Sequence, residues 1–353
     1  MDATVIIATR NRAALLKATL TSLVRQETSG LLWELIVVDN GSSDETAHVL
    51  STFAQQLPLT VIYFAAEGQN RARNRALAIA RGNLLLFTDD DVTLCPKWIA
   101  SIHEAAGKFP DASVFCGPIV PDLPEGLPWW IARHWFAGVA YAQFSVDQSE
   151  GPLAENRSPC GGNLAIRRAA LAQNRFDEAL GPQGTDFPMC GELELLARLK
   201  KQGHTTIYVP QAEIRHHVGE HQARLPWLFA RAFRFGRGRV RLDGDCDSRR
   251  LFGVPWYLYV LVSLLWVRRQ IGKYQAEFWR FETGVMLEIV RGRISEYRRL
   301  ARQPKKPTEG ERSARHISGI SRFKKMWFDL YTPVLAGRSY VQSVTTSDDD
   351  SRA

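Results

Sequence analysis

Between residues 3 and 120 short apolar runs alternate with helical patterns, and this alternation limits the possible folds more than any other feature of the chain. Residues 4–8, 33–38, 60–64 and 83–88 read as strands. Residues 11–26, 43–55 and 69–81 read as helices; the first carries Leu15, Leu16, Leu20 and Leu23 on one face, and the second opens on the capping residues Ser42-Ser43-Asp44-Glu45. Strands alternating with helices of this length predict an α/β fold, a mostly parallel sheet covered on both faces. Ligands in such sheets sit outside the carboxyl ends of the strands, which is where the polar residues of this stretch cluster.

Two of those clusters carry candidate chemistry. Thr88-Asp89-Asp90-Asp91-Val92 ends an apolar strand. Three neighbouring carboxylates repel one another and need compensation. A divalent cation held by oxygen ligands would supply it, and would also neutralise a substrate diphosphate; a solvated acidic turn fits the same three residues equally well. The second cluster is Asp39-Asn40-Gly41-Ser42-Ser43-Asp44. Asp39 ends a buried strand ahead of a helix start, so its carboxylate can accept hydrogen bonds from a base or ribose, or serve the turn itself.

Several segments together resemble the family-2 glycosyltransferases of GT-A fold: Val5-Ile6-Ile7-Ala8-Thr9-Arg10-Asn11-Arg12, the Asp39 turn, Asn70-Arg71-Ala72-Arg73-Asn74, the Asp89-Asp90-Asp91 triplet, Cys160-Gly161-Gly162-Asn163, Gly191-Glu192-Leu193-Glu194 and His216-His217. Each is weak alone, and their order over residues 3–240 makes the combination specific. The resemblance implies an inverting transferase taking its sugar from a nucleotide-diphosphate donor. It implies nucleotide-sugar contacts at Thr9, Asp39, Arg73, Asp89, Asp90, Gly161, Gly162 and Glu194. It implies a divalent cation, Mg or Mn, held by Asp91 and Asp89 with His217 preferred over His216. Glu192 stands where the family carries its catalytic Asp, and Gly191 where it usually carries Glu. The altered pair keeps a second reading open, a catalytically impaired nucleotide-sugar-binding protein. A nucleotidyltransferase is disfavoured, because no glycine-rich loop follows the first strand.

The remaining sequence sets expectations about organisation. Residues 121–157, rich in Pro, Trp and Gly, read as an irregular segment over the sheet. Residues 1–220 are expected to form the GT-A unit, 221–302 a basic and apolar helical extension, and 303–353 a largely disordered tail. Arg224, Arg231, Arg234, Arg237, Arg239 and Arg241 interleave with aromatics, part of a formal net charge of +8. An anionic partner follows: diphosphate, a saccharide or lipid-linked acceptor, or a peripheral membrane contact through 224–270, with no nucleic acid expected. Residues 251–267 are uncharged between arginine pairs, which suits an interfacial or buried helix ahead of a membrane span. Five cysteines without a C-x-x-C pair, and no signal-peptide pattern, point to reduced thiols and a cytoplasmic location, at the cytoplasmic face of a membrane if the acceptor is lipid-linked.

Overall fold

In the computed structural model, which describes residues 1–28, 30–184, 187–244, 248–272 and 276–303, consecutive residues of the strands feed two different cores. Val5, Ile7, Leu35, Val37, Leu84 and Leu86 enter one. Ile6, Ile36, Val38, Leu85 and Phe87 enter the other. A sheet buried on both faces needs apolar residues at every position, and these strands supply them.

The elements run β1 (Ala3–Thr9), α1 (Ala13–Val24), β2 (Trp33–Asp39), α2 (Thr46–Phe53), β3 (Leu59–Tyr63), α3 (Gln69–Leu77) and β4 (Leu84–Thr88), all within a few residues of the sequence expectation. After β5 (Val92–Leu94), α4 (Trp98–Lys108), β6 (Val114–Cys116) and β7 (Ile119–Asp122), the Trp-rich stretch holds two single-turn helices, α5 (Trp129–Ala132) and α6 (Ala137–Ala140). Then come β8 (Gly151–Pro152), β9 (Asn163–Arg167), α7 (Gly191–Lys201), β10 (Thr206–Tyr208) and β11 (Ile214–His217). The eight-stranded sheet is ordered β3-β2-β1-β4-β9-β6-β10-β8. β9 enters antiparallel between β4 and β6, a reversal that local pattern does not announce. A small second sheet, β5-β11-β7, leads the chain back over the acidic triplet, where the His217 N–H donates to Asp91 O at 2.8 Å.

The C-terminal part is helical, as expected: α8 (Leu225–Asp243), a short hairpin of β12 (Arg250–Leu251) and β13 (Val254–Pro255), α9 (Trp256–Ile271) and α10 (Glu277–Ala301). α8 and α10 approach closely because glycine stands at the crossing. A Cβ on Gly236 would lie 2.1 Å from Ile289 O, and one on Gly292 2.0 Å from Phe233 O. The pair is locked by Glu296, fully buried, whose carboxylate accepts from Arg237 Nε at 3.0 Å and from Arg241 and Arg299. Burial alone would raise the Glu296 carboxyl; Arg299 and Arg237 outweigh it and hold it below the usual range.

Among the described residues no helix is long and apolar enough to cross a membrane, so the span considered for 251–267 is set aside. α9 buries Leu258, Leu261 and Leu265 against α10 and leaves its opposite face exposed. Cys95, Cys116, Cys160 and Cys190 are free thiols. Cys246 and the tail from residue 304, including the apolar patch near Met326, lie outside the described residues.

Glu296→Ala would remove the buried carboxylate that Arg237, with a side chain only 5% exposed, donates to at 3.0 Å. The expected cost is about 3–5 kcal/mol, read as a fall in the urea midpoint. In the native chain the carboxylate's contribution should be complete above its ordinary value of 4.5 and fade as the pH falls below it, because the folded state holds the group ionised. A midpoint unchanged in the variant would remove Glu296 from this role.

Candidate functional site

The strand tips converge on one open cavity of about 600 Å³, within the range of small-ligand sites. Asp89, Asp90 and Asp91 form its floor, Glu192 and His216 stand on one side, and Arg231 reaches in from α8. The mouth is lined by Arg10, Asn11 and Glu67, with Arg10 paired to Glu67 at 2.5 Å.

Each carboxylate has a distinct partner. Thr9 Oγ1 donates to Asp90 Oδ2 at 2.7 Å, and Arg12 Nη1 donates to Asp90 Oδ1 and Asp91 Oδ2 at 2.9 and 2.7 Å. Parallel pairing sets Thr9 beside Asp39, whose Oδ1 accepts the Ser42 N–H at 2.8 Å. Asp39 therefore caps its turn; it is not among the residues that line the cavity, whereas Thr9 beside it and Asn40 after it are. Burial, joined by the neighbouring Asp91 charge, pushes the Asp90 carboxyl up to about 6 despite Arg12. Burial also raises Asp89, against the pull of Arg73. For Asp91, burial is outweighed by His216 and Arg12, and the group is held low.

Arg73 is placed differently from the sequence expectation. Its side chain is 2% exposed and lies under the cavity, outside its lining. Nη1 donates to Glu192 Oε1 at 2.5 Å and Nη2 to Asp89 Oδ1 at 3.2 Å. It therefore positions two carboxylates and is too deep to meet a nucleotide. Burial would raise the Glu192 carboxyl, but the Arg73 guanidinium outweighs it and keeps the acid ionised. One Glu192 oxygen is committed to Arg73; the other is the one that can take a proton.

Gly161 and Gly162 are required by close approach. A Cβ on Gly161 would lie 2.2 Å from Glu192 Cγ, and one on Gly162 2.8 Å from Asp89 Oδ2. The two glycines make room for the acids, and neither is among the residues that line the cavity. Glu192 sits in the first turn of α7, where the helix dipole favours negative charge, two residues after Cys190, which is in the left-handed conformation at φ +75°. For a non-glycine residue such a backbone costs energy, and it is found beside functional groups.

Two expected residues fall elsewhere. Glu194 is not among the cavity residues; its carboxylate is taken by Arg198 one turn on at 2.7 Å, so geometry gives it no nucleotide contact. Of the two histidines His216, and not His217, lines the cavity. β11 alternates its faces, so His217 turns away to Thr93 at 2.8 Å and Asp122 at 3.4 Å, while His216 Nε2 lies 3.5 Å from Asp91 Oδ2. His216 Nδ1 faces the Tyr141 carbonyl at 2.8 Å, and the Asp91 partnership outweighs burial to raise its pKa. The functional group that the sequence reading did not single out is Arg231. Its signal was only one arginine among six on a basic helix. Its Nε donates to Val139 O at 2.9 Å, and its charge faces Asp89, Asp91 and Glu192.

Among the described residues no three His, Cys, Asp or Glu side chains form a ready-made cation cage. Asp91 Oδ1 is nevertheless buried without a partner, at the floor of the cavity and on the residue nearest His216. An orphaned carboxylate oxygen fits a cation that takes one or two protein ligands and completes its shell with substrate phosphates and water.

Residues 4–174 match the family described as Glycosyl transferase family 2. That stretch is a family-2 glycosyltransferase domain. The glucosyl-dolichyl phosphate glucuronosyltransferase of Haloferax volcanii is 24% identical over 218 residues, 60% of this chain and 67% of that protein. The succinoglycan biosynthesis protein ExoM of Rhizobium meliloti is 26% identical over 212 residues, 59% of this chain and 64% of that protein. The matches thus span about two thirds of these relatives' own length. The mannosyltransferase PcManGT from Pyrobaculum calidifontis, solved with GDP-Man and Mn2+, superposes at a TM-score of 0.54 with 17% identity, over 83% of this chain and 86% of that one. The glycosyltransferase domain has the GT-A fold, and Glu192, His216 and Arg231 lie beyond the stretch that the family match covers.

Replacing Arg73 by Met should take from Asp89 and Glu192 the guanidinium that bonds both of them and leave only the charge of Arg231 facing the pair. Both carboxyls are then expected to titrate at higher pH than in the native protein, followed by carboxyl carbon NMR. Unshifted titrations would show that Arg73 does not set their ionisation.

Proposed function

We propose that the protein transfers a sugar from a nucleotide-diphosphate donor to an acceptor hydroxyl with inversion, in polysaccharide or glycoconjugate biosynthesis. One observation carries the reading: Glu192, kept ionised by Arg73, shares a single cleft with the acidic triplet at the strand tips. The acceptor oxygen attacks the anomeric carbon opposite the nucleotide as its proton passes to Glu192. The bond from the anomeric carbon to the phosphate oxygen breaks, and its electron pair leaves with the diphosphate. Arg231 faces the same space and offers its guanidinium to that departing charge. In this reading the nucleoside rests against the Arg10-to-Asn11 rim, with Asp39 beside Thr9 and Thr9 holding Asp90; the lining of the cleft by Thr9, Arg10 and Asn11 supports that placement.

A divalent cation, Mg or Mn, would be held by Asp91 and Asp89 with His216 beside them, and when bound it supplies positive charge to the leaving diphosphate. We read residues 1–220 as the GT-A unit and 221–302 as the extension that closes the acceptor side. The named activities of the relatives support a saccharide or lipid-linked acceptor, and the basic extension supports work at the cytoplasmic face of a membrane. The ion pair between Arg73 and Glu192 also favours the second reading, a nucleotide-sugar-binding protein with a blunted base, since a depressed carboxyl is a weaker proton acceptor.

Glu192→Gln should lower transfer about 10²–10⁴-fold while nucleotide binding persists. Asp91→Asn should abolish transfer and also weaken the dependence of nucleotide affinity on Mn2+, measured by calorimetry. Transfer at the native rate in the Glu192 variant would exclude it as the base, and no turnover of any nucleotide sugar by the native chain would leave the binding-protein reading.

A further inference from the structure

A second cavity, of about 500 Å³, opens where the start of α8, the end of α9 and the first turns of α10 meet the loop before α5. Its walls are aromatic. Phe281 packs against Trp130 at 5.4 Å between ring centroids and against Phe229 at 6.1 Å. Ile131 closes one side, and Gly284 keeps the floor open, since a Cβ there would meet the Phe229 ring at 2.7 Å. Its mouth carries Arg268, Arg269 and Arg280 beside the carboxylate of Glu277, and Arg268 also meets the buried Glu282 at 3.9 Å. Arg280 reaches Glu277 at 3.5 Å and Arg268 lies over the Trp279 ring at 5.7 Å, both at exposed positions where such contacts hold a side chain weakly.

An apolar slot with guanidiniums at its entrance selects an amphiphile. Free phosphate gains nothing from the aromatic walls, and an uncharged hydrocarbon gains nothing from the arginines. The surroundings agree. α9 exposes Trp256, Val260, Leu264, Val267 and Ile271, spaced by four, four, three and four residues along one helical face, and Phe252 at the hairpin tip is 81% exposed. That stripe ends at Ile271, next to Gly272 of the cavity wall. A continuous apolar path therefore leads from the surface of the extension into the slot. The slot adjoins the catalytic cavity as well: Gln222 lines the first and Ala223 the second, and along α8 Phe229 faces the second and Arg231 the first.

We propose that this second cavity binds the phosphate head and leading hydrocarbon of a long-chain lipid phosphate, the carrier of the acceptor. The inference rests on the transferase reading and gives its acceptor a site distinct from the donor cleft. The arginines grip the phosphate at the mouth, the hydrocarbon fills the aromatic slot, and the α9 stripe carries the rest of the chain into the lipid interface.

The test uses the full chain and farnesyl phosphate below its micellar concentration, with binding read by tryptophan fluorescence. Farnesol, inorganic phosphate and phosphatidylglycerol vesicles form the comparison arms. Arg269→Glu combined with Arg280→Glu should weaken farnesyl phosphate at least tenfold, and Ala223→Trp, which fills the slot without touching the mouth, should do the same. Nucleotide-sugar affinity, measured in parallel on each variant, should not change and certifies that the fold is intact. Farnesol or inorganic phosphate binding as tightly as farnesyl phosphate, an unchanged affinity in both variants, or binding to vesicles alone would overturn the proposal. Because nucleotide-sugar binding is read separately, failure of the lipid site is told apart from failure of the transferase reading.

Discussion

Negative charge gathered at the tips of the strands is the constraint that organises this molecule. Asp89, Asp90, Asp91 and Glu192 come together at the end of a sheet that is apolar on both faces. Two like charges about 4 Å apart cost roughly 4 kcal/mol at the effective dielectric of a protein surface, so the cluster exists only with compensation. Arg12 spans Asp90 and Asp91, Arg73 spans Asp89 and Glu192, and Arg231 faces the group from above. The compensation is unequal, and the inequality is useful. The acid with the strongest cation beneath it stays ionised, the most enclosed is pushed up to about 6, and one Asp91 oxygen is left with nothing.

That arrangement links the two halves of the chain. Arg231 belongs to α8, and α8 is held against α10 by buried Glu296 and by a glycine crossing that lets the backbones touch. The helical extension is therefore part of the site as well as a neighbour of it. Its outer surface has a different character, with apolar α9 residues left uncovered between arginines. One face completes a polar cleft and the other offers hydrocarbon contact, which is how a soluble donor and a greasy acceptor could meet on one protein.

Much of this was legible in residue order. The strand and helix alternation gave the sheet, and the acidic triplet with Glu192 marked the cleft. Other residues read differently along the chain and in space. Nothing local distinguishes an arginine reaching for a ligand from one buried beneath two acids, as Arg73 is. Glu194 shares its segment with Glu192, yet the helical turn hands it to Arg198. The choice between His216 and His217 turned on strand phase, which depends on how β11 pairs with β5 and β7.

Sequence alone determined which residues could form strands, where the polar ends fell and that an acidic cluster needed positive partners, because hydrophobic periodicity and local charge are properties of neighbours along the chain. Tertiary structure decided which cation serves which acid, which histidine faces the cleft, that β9 runs against its neighbours and that an arginine far down the chain enters the site. Those outcomes depend on contacts between different segments of the chain, such as Arg73 with Glu192, and no local pattern encodes them.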